Sequence, residues 1–221
     1  MSHSTHIFFH VLLFGLWLGP YAALLVLLAR LRLLGDNKAA ATSILTSIRL
    51  IERIPRTAFI LMLPMGLQLS HNLNYINFAS GSTVGVWIIA IVWLALDWRG
   101  LRHSFGPAAQ AARTVFRVLA GGFGAIVGGA GLLSLATGSP ITVKWLAAKF
   151  TLFGLALLTM ILIDLATSQL FPREQGKEAK AGLPADPAVI RSAAGQAGTG
   201  VVVLIVILVA ASWIGVVKPF V

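Results

Sequence analysis

No Asp, Glu, Lys or Arg occurs between Ile7 and Ala29, and none between Thr57 and Leu96. A helix rises about 1.5 Å per residue, so roughly 20 apolar residues cross a hydrocarbon core of about 30 Å. The first run suffices for one span. The second suffices for two, divided by the polar segment 71–83 (HNLNYINFASGST). The rest of the chain cannot shield such runs from water. Only 11% of its 221 residues are charged and 57% are hydrophobic, against about 25% charged in an ordinary soluble domain. Mean hydropathy is +0.88. These values exclude a soluble enzyme, a disordered chain and a collagen-like fibre. The lack of cysteine excludes disulfides, thiolate metal sites and iron–sulfur clusters. The first run is expected not to be a cleaved signal peptide: it lacks a basic n-region, exceeds an ordinary h-region and is followed by basic residues.

The placement of charge predicts the class: an all-α polytopic membrane protein, a bundle of six transmembrane helices with both termini outside. The single membrane domain, 1–221, has spans at about 7–29, 56–73, 83–98, 117–138, 144–169 and 194–217. The polar, Gly-, Pro- and Ala-rich stretch 172–193 reads as a cytoplasmic linker loop. The fifth span is unusual. Lys149 and Asp164 leave only 14 residues between them (150–163), roughly 21 Å of helix, so this span carries both charges within or at the edge of the bilayer. Fourteen of the 17 basic residues fall in loops one, three and five, leaving Lys144, Lys149 and Lys218 on the other side. The positive-inside rule puts those loops in the cytoplasm, with a bacterial inner membrane as the expected location. The net charge of +10 is then an orientation signal. The basic loops lack the interleaved aromatics of a nucleic-acid surface, and no nucleic-acid partner is expected.

Within this frame, loop one is expected to hold a short amphipathic helix over 39–54. Pro55 would start span two and Pro64 would kink it. Span four reads AGGFGAIVGGAG, with Gly121, Ala125 and Gly129, and also Gly124 and Gly128, recurring every four residues. Small residues at that spacing let helix backbones approach closely. They also leave open packing into a homo- or hetero-oligomer, with the chain a non-catalytic subunit of a membrane complex. An internal echo runs through the middle. Arg56, Ser70, Trp87 and Asp97 in spans two and three correspond to Arg117, Ser134, Trp145 and Asp164 in spans four and five. It reads either as an old hairpin duplication or as the common look of two outward-returning hairpins.

Ionisable groups inside a bilayer are costly and mark functional sites by default. His10, His71 and Lys149 come from three spans and fall at similar depth near the outer side. Each has an ordinary alternative: a neighbour's hydrogen bond for His10, water contact for His71, and snorkelling to the interface for Lys149. Together, two neutral imidazoles could hold one haem b iron, with Lys149 neutralising a propionate. Trp17 and Tyr21 lie on or near the face of His10. His3, His6 and His10, spaced i, i+3, i+7, permit copper instead, with Met62 and Met65 below His71 as thioether donors. Packing is the plainer role for both methionines, and His3 and His6 are expected to fray. Asp97 precedes Arg99 and Arg102 and reads as an interfacial ion pair. Asp164 has no basic neighbour in sequence and must pair across helices, with Arg56, Arg113 or Arg117, or else accept protons from the cytoplasm. No nucleotide loop, nucleophile elbow or HExxH motif occurs.

The segment from His10 through Trp17 to Gly19 (HVLLFGLWLG) resembles the first helix of HemJ-type and CopD-type membrane proteins. Trp145-Leu-Ala-Ala-Lys149-Phe is similar to a motif of HemJ-like proteins. Glu52-Arg53 before a helix with Pro64 resembles their Met-Glu-Arg stretch, with Ile51 in place of the Met. Leu135-Ala-Thr-Gly138 before Lys149 resembles a CopD-like pattern. The resemblance implies His10 as a haem ligand, Lys149 as a functional lysine, and Trp17 and Trp145 beside the cofactor. It links the chain to haem b and protoporphyrinogen oxidation, or to copper uptake. The expectation is a b-type haem protein in electron transfer, or a haem-dependent membrane oxidoreductase acting on a small reductant or quinol, with a quinol or redox protein as partner. Copper handling through His3, His6, His10 and Met65 is the alternative.

Overall fold

A computed structural model of the chain describes residues 3–34, 37–76, 79, 81–102, 107–171 and 186–219. All secondary structure among them is helical: α1 (His3–Leu33), α2 (Lys38–Asn72), α3 (Ser82–Arg102), α4 (Pro107–Thr137), α5 (Lys144–Ser168) and α6 (Pro187–Val217). Five of these, α1, α3, α4, α5 and α6, are long and apolar enough to cross a membrane. Helix α2 does not reach that mark: Glu52, Arg53 and Arg56 lie in its middle, and Gln68, Ser70, His71 and Asn72 near its end. Large aliphatic side chains point outward around the bundle, with Val118, Ile126, Leu132, Leu162 and Val206 each more than 60% exposed. Such a surface suits hydrocarbon and not water. The chain has the architecture of an integral membrane protein.

Several boundaries differ from the sequence reading. Helix α2 is one continuous element of 35 residues with Pro55 and Pro64 both inside it, not a short helix followed by a separate span. At roughly 52 Å it is far longer than a bilayer core is thick. Asn37 starts it, its side chain accepting from the Ala40 amide at 3.1 Å. His3 and His6 lie within the first turns of α1, where the sequence reading expected frayed ends. The expected 172–193 linker lies outside the described residues up to 185. From Pro187 onward that stretch is helix, opened by Asp186, whose carboxylate accepts from the Ala188 amide at 2.8 Å.

Each helix packs on the next in sequence, and α6 packs back on α1, so the six form a closed ring. Helices α2 and α5 face each other across the interior without backbone contact. An aromatic cluster fills the middle. Trp17 of α1 meets Phe59 of α2 and Phe153 of α5, with centroids 6.1 and 5.6 Å apart. Phe59 reaches Phe116 of α4 and Trp93 of α3 at 5.9 and 5.2 Å. These rings leave open space at one end of the interior and a charge network at the other.

The α4–α5 contact is the closest in the bundle. A methyl group on Gly154 would fall 2.4 Å from Gly128 Cα and 2.6 Å from the Gly124 carbonyl oxygen. Of the two glycine series in span four, the one through Gly124 and Gly128 makes this contact. Gly129 faces open space and Gly121 has only Ile161 near it. The α4–α5 turn is pinned by Ser134, whose Oγ donates to the Ala130 carbonyl and accepts from the Ile141 amide at 3.0 Å. Gly138, at φ +75°, supplies the left-handed residue that ends α4, its amide donating to Ser134 O at 2.8 Å.

Candidate functional site

Between α1, α2, α5 and α6 lies a cavity of about 510 Å³, within the usual range of small-ligand sites. Four expected site residues meet on its wall: His10 and Trp17 from α1, Trp145 and Lys149 from α5. The spacing explains this. Trp17 follows His10 by seven residues and Lys149 follows Trp145 by four, so each pair shares one helix face. Phe14, Phe150 and Phe153 add aromatic wall. No Asp or Glu lines the cavity among the described residues, and neither Lys149 nor Lys218 has a carboxylate partner there.

Two glycines make room for the polar groups. A methyl group on Gly66 would lie 3.5 Å from His10 Cε1, and one on Gly215 would lie 2.7 Å from Lys149 Nζ. The Nδ1 of His10 is buried and has no hydrogen-bond partner. A buried imidazole nitrogen without a partner is costly, and this one sits on a residue that faces a ligand-sized space.

The remaining expected residues are distributed differently. His71 does not line the cavity; its Nδ1 lies 3.2 Å from the Ile76 carbonyl. His3 lines the cavity, whereas His6 is buried off it with Nε2 unpartnered. Seven residues bring a helix back to the same face and three leave it rotated by about 60°. Met62 lines the cavity and Met65 is buried outside it. No group of three or more His, Asp or Glu is placed to hold a metal ion among the described residues. Sequence reasoning missed Lys218, Phe14, Phe150 and Phe153. The available signal was Lys218 closing the last apolar run, and two Phe within four residues of Lys149.

The interior's other end is ionic. Arg56 Nη2 lies 3.0 Å from Asp97 Oδ1, and Arg56 Nη1 lies 3.2 Å from Asp164 Oδ1. Arg117 Nε donates to Asp164 Oδ2 at 2.7 Å. Asp164 thus pairs across helices with two of the three arginines expected for it. Asp97 pairs with Arg56 and, among the described residues, has no ion pair with Arg99; the Arg102 side chain lies outside the described residues. The Arg56 guanidinium also stacks on Phe116, 3.9 Å from the ring centroid. Burial pushes the nearby Glu52 carboxyl up, while Arg56 and Arg113 pull it the other way. Arg56, Asp97 and Asp164 are each less than 10% exposed, and every charge has an opposite partner, as buried charges require.

No family model matches the chain, and no curated protein or solved structure matches it either.

Proposed function

We propose that this chain is a six-span membrane protein that holds haem b in the cavity near its outer face and works in electron transfer or in oxidation of a small reductant or quinol. One observation carries the reading: His10, Lys149, Trp17 and Trp145, distant in sequence, share one aromatic-walled cavity of about 510 Å³. The donor set suits a flat amphipathic acid. The phenyl and indole groups receive the apolar body, Lys149 pairs with a carboxylate, and the unpartnered imidazole of His10 offers a nitrogen. The ligand set proposed here uses His10 as the protein nitrogen and leaves His71 to its contact with Ile76. Bound there, haem b would supply a one-electron couple. The chain's own residues exclude water from it with aromatic walls, neutralise an acid group with Lys149, and hold the pocket rigid through α5 and α6.

Orientation is part of the proposal. The arginine-rich network of Arg56 and Arg117 faces the cytoplasm by the positive-inside rule. The cavity end, with His3 and Lys218 close to the two chain ends, then faces outward. A bacterial inner membrane fits this arrangement.

The test is an absorption spectrum of protein purified in detergent after expression with ample haem. A Soret band that His10→Ala abolishes or shifts is expected, with His71→Ala leaving it in place. Absence of the band overturns the haem reading. Bound copper without a Soret band would favour copper handling through His3, His6, His10 and Met65 instead.

A further inference from the structure

The haem reading leaves His71 and the turn that follows it without a role. Helix α2 ends with Asn74 in the left-handed conformation, φ 56°. The Asn74 amide donates to the His71 carbonyl at 2.9 Å and the Tyr75 amide to the Ser70 carbonyl at 3.0 Å. That pair of bonds is the one that closes a helix around a left-handed residue. A third bond fixes what comes next. His71 Nδ1 lies 3.2 Å from the Ile76 carbonyl oxygen, and since a carbonyl accepts, Nδ1 is the donor. Held this way, Tyr75 reaches across the bundle. Its ring meets Trp145, at the start of α5, edge to face with centroids 5.5 Å apart. Tyr75 and Ile76 pack together on the buried cluster of Ile141, Trp145, Leu146 and Ala147.

Leu73 and Tyr75 line the cavity at the same end as His3, Trp145 and Lys218, where α1 and α5 begin and α2 and α6 end. In the orientation proposed above this is the outer end. The backbones of α2 and α5 do not meet. The Tyr75–Trp145 contact joins them here, as Arg56–Asp164 does at the other end. We infer that Tyr75 is the gate of the cavity on its outer side, closed against Trp145, with His71 as the positioning residue that latches it. A ligand arriving from the outer aqueous side enters when the ring pair separates. One aromatic pair is a weak contact, so the gate opens without unfolding either helix, as gating segments over enclosed sites do. This rests on the cavity being the ligand site, as in the haem reading, and it concerns the ligand's entry, not its identity.

The experiment exploits a chain without cysteine. Met62 lines the cavity and Met65 is buried outside it, so Met62→Cys reports access to the cavity and Met65→Cys access to the packed interior. Each full-length variant is purified in detergent and its rate of labelling by a water-soluble maleimide is measured. Adding Tyr75→Ala should speed labelling of Met62→Cys by about 10-fold, the shift that loss of one aromatic pair allows. Adding His71→Ala should speed it by about 5-fold, the scale of one hydrogen bond. Tyr75→Phe keeps the ring and should leave the rate unchanged. Labelling of Met65→Cys should respond to none of these. Unchanged labelling of Met62→Cys with Tyr75→Ala overturns the gate, and with His71→Ala it overturns the latch. Equal acceleration at Met65→Cys also overturns the gate, because the turn would then only hold the bundle together. These rates need no haem. Faster labelling of Met62→Cys without a His10-dependent Soret band supports the gate and overturns the haem reading, and a His10-dependent band with unchanged labelling does the reverse.

Discussion

Arg56 Nη1 lies 3.2 Å from Asp164 Oδ1 and so joins α2 to α5 across the bundle interior, where their backbones do not meet. The same guanidinium reaches Asp97 on α3 at 3.0 Å. Arg56→Met would leave Asp97 without a partner and Asp164 with Arg117 alone. Removing one partner of a buried pair costs about 3–5 kcal/mol. The expected result is a large fall in the denaturation midpoint in detergent. Arg56→Lys should recover little, since an ammonium cannot present two nitrogens to two carboxylates as a planar fork does. An unchanged midpoint for Arg56→Met would show that the network contributes nothing to folding.

Asp164 accepts hydrogen bonds from two arginines, whereas Asp97 is ion-paired with Arg56 at 3.0 Å and neither of its oxygens is hydrogen-bonded. Asp164→Asn should therefore destabilise more than Asp97→Asn, by about 1 kcal/mol or more, the scale of one further charged hydrogen bond. Thermal unfolding of the two variants side by side checks the order, and the reverse order would contradict the pairing described.

Much of this network could be read from the chain before any coordinates. Asp164 lacks a basic neighbour in sequence, so its partner had to come from another helix, and Arg56 and Arg117 were among the three candidates. Asp97 reads as an ion-paired carboxylate and is one, but its partner Arg56 comes from another helix and so could not be named from the sequence around it. The internal echo also gains content. Arg56–Asp97 closes one hairpin and Arg117–Asp164 closes the next, and Ser70 and Ser134 each donate to the carbonyl four residues earlier. The continuity of α2 was not legible: Pro55 reads as a helix start, yet the helix passes through it. On the site side, depth along a span is set by residue count, so His10 and Lys149 could be matched. Which helices are neighbours is set by packing, and that is why His71 appeared to belong with them.

Helix contact at Gly154 offers a separate test. The three nearest atoms that a methyl group there would meet all belong to the backbone of α4, so the helices must move apart. Gly154→Ala should destabilise by about 1–3 kcal/mol, the usual cost of overpacking. Gly122→Ala has nothing within 4 Å to strike and should change stability by less than about 1 kcal/mol. Similar losses from both would mean that helix flexibility, and not close approach, explains the glycines.

The chain has no cysteine, which makes single-cysteine labelling a clean probe of orientation. Ser139, in the turn between α4 and α5, and Ser43, near the start of α2, are both exposed. In intact cells a membrane-impermeant maleimide should label Ser139→Cys directly and Ser43→Cys only after permeabilisation. The opposite pattern would invert the proposed topology and place the cavity toward the cytoplasm.

Gly215 separates the structural and functional roles of small residues most sharply. A methyl group there would lie 2.7 Å from Lys149 Nζ. The atom struck is the far end of a flexible side chain, so Lys149 can swing aside at little cost to the fold. Gly215→Ala should therefore unfold within about 1 kcal/mol of the unmodified protein, since Ala is the better helix former and no backbone is displaced. Ligand binding should respond differently, because the displaced ammonium no longer lies on the α5–α6 seam. Haem affinity is expected to fall by about 10-fold, as it should for Lys149→Gln if Lys149 pairs with a carboxylate of the ligand. The double variant Gly215→Ala/Lys149→Gln should bind no worse than Lys149→Gln alone, since both changes act through one amine. Additive losses in the double variant would show that Gly215 shapes the cavity by a route other than the position of Lys149.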